Sequence, residues 1–99
     1  MPKDLIYSRR AAKTLQSLQE YIALHNSEDV AIHYVERIKA RCEKLLLAPE
    51  QGTRQDQIRP GVRTIGFEGR VTIAFRVTQR SVRILSIAYG GRQYEPDLR

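Results

Sequence analysis

The chain has a single cysteine, Cys42, only two histidines, and no apolar run longer than four residues, as in Leu45-Leu46-Leu47-Ala48. Each scarcity excludes something. One thiol cannot form an internal disulfide, and no Cys/His spacing suits a metal site, so neither a metal nor another cofactor is expected. A run of four falls far short of the roughly 20 apolar residues a membrane helix needs. The start, Met1-Pro2-Lys3-Asp4, lacks the apolar core of a signal peptide, so a cytoplasmic protein is expected.

What is present is the composition of an ordinary globule, 41% hydrophobic and 28% charged over 99 residues. That length allows one domain, residues 1–99, with no room for a second core. A domain this small buries a modest share of its surface, so a partner covering apolar surface would help it considerably. The charge is lopsided. Residues 1–51 carry a net +1 and residues 52–99 a net +5, which together give the chain's +6. Every basic residue of the second half is arginine: Arg54, Arg59, Arg63, Arg70, Arg76, Arg80, Arg83, Arg92 and Arg99. The planar guanidinium grips carboxylates and phosphates with two parallel bonds, which lysine cannot do. The alternatives are a merely solvated face or a docking surface for an acidic segment or a nucleic acid.

Along the chain, Lys3-Asp4-Leu5-Ile6-Tyr7 reads as a short strand. Ser8 is a good helix cap, and Ala12, Leu15, Leu18 and Ile22 recur at helical spacing, predicting a helix to about Leu24. His25-Asn26 breaks it. Ser27 caps a second helix whose first-turn Glu28 and Asp29 suit the helix dipole and whose apolar stripe is Val30, Tyr34, Ile38, Cys42 and Leu45. This helix ends before Pro49. So short a link makes the pair an antiparallel hairpin.

Residues 49–61 are polar, with Pro and Gly near both ends, and read as a loop. The period then changes to two. Val62–Phe67 is a strand and Glu68-Gly69 a hairpin turn. Val71, Ile73, Phe75 and Val77 then alternate with Arg70, Thr72, Ala74 and Arg76. After Thr78–Ser81, the strand Val82–Tyr89 is apolar on both faces, with Val82, Ile84 and Ala88 on one and Leu85 and Ile87 on the other. Gly90-Gly91 ends it. The expected order is β-α-α-β-β-β, class α+β: an N-terminal strand and an antiparallel helical hairpin packed on a small, mainly antiparallel sheet.

Three stretches resemble the RelE/ParE toxin family over nearly the whole chain. They are the helical hairpin from Tyr21-Ile22-Ala23 to Leu45, the passage Ile58–Arg63, and Ile73–Val77 followed by Val82–Arg92. The last is the most specific: Gly90 and Arg92 fit a His-Gly-x-Arg type of ending, while Tyr89 stands where the His usually is. The resemblance implies a bacterial toxin silenced by a tightly bound antitoxin. ParE-like members poison DNA gyrase, whereas RelE-like members cleave mRNA on the ribosome. The resemblance of the ending implies the former, so a non-enzymatic toxin is expected.

The nuclease alternative needs a group to take the proton of the 2′-hydroxyl, cations around the phosphate, and an acid for the leaving oxygen. By resemblance Arg63, Arg92 and Tyr94 would serve, but Ile65 and Thr72 stand where further basic residues are expected. His25 and His33 lie in the helical half, remote from that site on the sheet, and read as surface residues. Cys42 falls on an apolar stripe and reads as core. An acidic, amphipathic antitoxin segment is expected to pair with Arg63, Arg70, Arg76 and Arg83 and to cover Leu85. Gyrase, the expected target, is expected to meet Tyr89, Arg92 and Tyr94.

Overall fold

The computed structural model describes residues 3–89; Arg92, Tyr94 and the Gly90-Gly91 ending lie outside them. Strand β1 (Asp4–Tyr7) leads into helices α1 (Arg9–His25) and α2 (Glu28–Glu43), a 3-10 turn over Lys44–Leu46, and strands β2 (Thr53–Arg54), β3 (Val62–Phe67), β4 (Val71–Val77) and β5 (Ser81–Tyr89). The five strands form one sheet in the order β1-β5-β4-β3-β2. β1 runs parallel to β5, and every other pair is antiparallel. This is the expected α+β arrangement with one strand added. β2 arises inside the predicted loop, where Thr53 and Arg54 pair with Thr64 and Arg63; two residues are too few to show a period.

Both predicted caps form. Ser8 Oγ accepts from Ala11 N at 3.0 Å and Ser27 Oγ from Val30 N at 3.1 Å, each satisfying an amide that the first helical turn leaves free. The buried stripe of α1 is Ala11, Leu15 and Leu18, with Ile22 partly covered, so the core takes Ala11 and not the neighbouring, exposed Ala12. In α2 the stripe is Ala31, Val35, Ile38 and Cys42, continued by Leu45 in the 3-10 turn. Val30 is left exposed and Tyr34 half-buried, because the first half of the stripe is shifted by one residue, while Ile38, Cys42 and Leu45 lie in it as expected.

Both helices lie on one face of the sheet. Phe75, Ile73, Val71, Val82, Ile84 and Ile87 meet them in a common core. Here the structure corrects the expected faces of the last strand. Ala74 pairs with Ser86 but Phe75 with Ile84, so Leu85 is an extra residue in β5. This bulge inverts the alternation, and Ile87 joins Val82 and Ile84 against the helices. The bulge is anchored from the other side of the sequence: Ser8 N donates to Ile84 O at 2.9 Å and Ser8 Oγ to Leu85 O at 2.8 Å.

At the β3–β4 turn Glu68 and Gly69 both have positive φ, 52° and 72°, and Arg70 N donates to Phe67 O. Left-handed backbone at both central positions follows the strand twist, as two-residue hairpin turns require. Glu68 holds that conformation while both its carboxylate oxygens take Arg37 at 3.1 Å, tying the turn to α2.

Candidate functional site: an uncovered sheet face and an aromatic cleft

Among the described residues no helix lies on the other side of the sheet; Val62, Ala74, Ser86 and Ala88 on it are nonetheless buried, and its exposed residues include Ile6, Arg76 and Arg83. Its residues follow from the register. Ile6 of β1 pairs with Arg83 of β5, Arg83 with Arg76 of β4, and Arg76 with Val62 of β3. Direct partners share a face, so these four form a row on the bare side. Beside the row, Val62 and Ala74 form a small second cluster with Ile58 and the bulge residue Leu85 packed on it. Arg76 and Arg83 are exposed, and neither has a hydrogen bond or ion pair among the described residues. Two like charges directly opposite on neighbouring strands repel. The face therefore offers two exposed guanidinium groups beside the exposed Ile6 and the half-buried Ile58 and Leu85, a complement to carboxylates on an apolar segment.

The four expected arginines do not act together. Arg63 pairs with Phe75, which places it on the helix side, and its Nη1 donates to Glu50 O at 2.9 Å. Arg70 belongs to the turn, since β4 begins at Val71, and its charge acts on the Tyr34 hydroxyl. Only Arg76, Arg83 and Leu85 of the expected set lie on or beside the bare face. Ile6, Ile58 and Val62 complete it. Sequence reasoning missed them because assigning faces needs the pairing register, and Ile58 sits in a loop with no period.

Of the residues weighed for a nuclease, Arg63 lies on the helix side of the sheet. Thr72, which pairs with Gly66 and Ala88, lies on the bare side. Ile65 is buried in the core. Cys42 is fully buried, and burial pushes its thiol up to about 11 despite a hydrogen bond from Tyr7, so it is a core residue and a poor nucleophile. Among the described residues no group of His, Cys, Asp and Glu could hold a metal ion.

A second feature lies at the end of β5. Tyr89 meets Tyr34 edge-on, ring centroids 6.0 Å apart, and Tyr34 meets Phe67 in the same way. The Arg37 guanidinium sits 5.1 Å from the Tyr34 ring centre. Burial, then the neighbouring Tyr89 and Glu68, raises the Tyr34 hydroxyl above its ordinary value, and that buried oxygen has no hydrogen-bond partner. Next to this cluster opens a cleft of about 240 Å³ lined by Tyr21, Ile22, His25, Asn26, Val30, Tyr34 and Tyr89. The hairpin thus brings His25 to the end of β5, where it lines the cleft with Tyr89. His33 stays exposed on the flank of α2.

With this geometry in hand, the comparisons with known proteins are consistent. The family model described as ParE toxin of type II toxin–antitoxin system, parDE, matches residues 5–94. A solved chromosomal ParDE toxin–antitoxin system from P. aeruginosa superposes with a TM-score of 0.77 at 26% identity, covering 89% of this chain and 96% of that one. A mutant of the E. coli toxin RelE in the free state superposes with a TM-score of 0.67 at 16% identity, covering 97% and 92%, a likeness of fold alone. No curated protein matches.

Proposed function

The chain belongs to the ParE toxins of type II toxin–antitoxin systems, and from that premise we propose that it inhibits DNA gyrase in the cytoplasm, without catalysing a reaction, and is neutralised by a cognate antitoxin bound to the bare sheet face. The observation that supports a binding role over catalysis is the division of the nuclease positions. Arg63 and Thr72 face opposite sides of the sheet, so they cannot close on one phosphate. Arg63 is moreover engaged with the Glu50 carbonyl.

The antitoxin segment is acidic and amphipathic. It sets carboxylates against Arg76 and Arg83 and lays an aliphatic stripe over Ile6, Ile58 and Leu85. Such pairing removes the repulsion between the two arginines and covers the apolar patch in one step. The solved ParDE relative supports an antitoxin partner.

The test is direct. Purified protein added in excess to gyrase and supercoiled plasmid is expected to block supercoiling and to accumulate cleaved DNA, and a stoichiometric acidic antitoxin to reverse this. Unchanged supercoiling and cleavage at high excess would overturn the reading. Codon-positioned cuts in translated mRNA that vanish in Arg92→Ala would replace it with ribosome-dependent mRNA cleavage.

A further inference from the structure

The cleft at the end of β5 differs in chemistry from the rest of the molecule. Its seven lining residues, from Tyr21 to Tyr89, include no charged side chain, in a chain that is 28% charged with a net +6. Three of the five tyrosines, Tyr21, Tyr34 and Tyr89, converge on it from three different elements. Its rim is open to solvent: Tyr21 is 54% exposed and Val30 43%. Charge depletion with tyrosine enrichment around a small cavity is the pattern of a protein-binding hot spot. The ring stack of Tyr21 on His25, centroids 4.1 Å apart, gives the rim a stiff wall. That stack is fixed by a hydrogen bond between His25 Nδ1 and the Tyr21 carbonyl at 2.9 Å. A carbonyl only accepts, so Nδ1 is the donor in this bond.

Charge separates the occupants of the two surfaces. An acidic segment complements Arg76 and Arg83 on the bare sheet face and gains nothing in an uncharged cleft. The volume of about 240 Å³ suits a single large side chain and is smaller than a drug-sized site. We infer that the cleft formed by Tyr21, His25, Val30, Tyr34 and Tyr89 receives an uncharged aliphatic or aromatic anchor side chain from the toxin's protein target, on a surface separate from the one that holds the acidic antitoxin. This rests on the gyrase reading above and extends the target contact from Tyr89 onto the tip of the helical hairpin. Target and antitoxin then occupy different surfaces, and the antitoxin can engage a toxin already on its target.

The experiment measures binding of the full chain, as wild type, Tyr21→Ala and Val30→Lys, to gyrase and to an acidic amphipathic peptide. Thermal melts of each variant check the fold; both sites are surface-exposed, and Val30→Lys keeps a long aliphatic stem. The expected result is a loss of gyrase affinity of about tenfold or more in each variant, with peptide affinity unchanged. Variants that bind gyrase like wild type overturn the inference and leave the gyrase reading standing. Variants that melt like wild type but lose both partners overturn it as well, since the two surfaces are then one. Wild type that binds no gyrase overturns the reading and the inference together. Binding of a single-stranded oligonucleotide that Tyr21→Ala abolishes would assign the cleft to base stacking, again overturning a protein anchor.

Discussion

Ser8 closes a helix and pins a strand with one hydroxyl, accepting from Ala11 N and donating to Leu85 O. Alanine there loses the cap and strips the partner from a part-buried carbonyl. Ser8→Ala should therefore destabilise the fold by about 1–2 kcal/mol, at the upper end for a cap, measured by urea denaturation. A loss no larger than a few tenths would mean that water replaces the hydroxyl at Leu85. Cys42 gives a pH signature. Its thiol is raised from 9.0 to about 11 in the fold, so above pH 9 the unfolded chain ionises while the folded one holds its proton. Stability is complete below pH 9 and falls as the pH rises toward 11. Tyr7, also raised by burial, steepens the fall above its ordinary value of 10.0. In Cys42→Val the denaturation midpoint should be flat between pH 9 and 10; an unaltered slope would assign the effect elsewhere.

At the scale of elements, the loop between α2 and β3 does more than connect. Gly52 has φ +87°, and a Cβ there would run into the Thr64 carbonyl oxygen, on backbone that cannot swing away. Glycine is what lets β2 approach β3 closely enough to pair. Gly52→Ala should cost on the order of 1–3 kcal/mol, and amide exchange at β2 and β3 should quicken while that of α1 hardly changes. Equal exchange rates in the two proteins would show that the loop relaxes around the methyl group. The predicted elements were legible wherever a period ran long enough: both helices, their serine caps, and the three C-terminal strands. β2 was not legible, since a two-residue strand inside a polar loop carries no hydrophobic pattern. Nor was the choice of Ala11 over Ala12, because two adjacent alanines fit the same spacing until the sheet picks one.

For the whole molecule, both helices pack on one face of the sheet and, among the described residues, no helix lies on the other. That face carries Arg76 and Arg83 side by side. Replacing either with glutamine removes a repulsion within the fold and a bond to an acidic partner. Arg76→Gln and Arg83→Gln should keep or raise the melting temperature of the free chain. Each should also weaken binding of an acidic amphipathic peptide and flatten its dependence on salt. Titration calorimetry at low and high salt checks this, and wild-type affinity in both variants would remove the face from the antitoxin interface. Because a bound partner stabilises only the folded state, the same peptide should raise the melting temperature of wild type in a concentration-dependent way.

The sequence by itself determined the order of all elements but β2, the fold class and the arginine bias of the second half, because these rest on local periods, caps and composition. Tertiary structure decided which arginines share a face, that Leu85 is a bulge which turns Ile87 inward, and that His25 and Tyr89 line one cleft. The physical reason is common to all three. A side chain's face depends on the register of strands far apart in the chain, and a bulge stabilised by Ser8, 77 residues away, leaves no local trace in β5. The parallel seam between β1 and β5 joins the two ends of the described chain, and no period within either strand announces its partner.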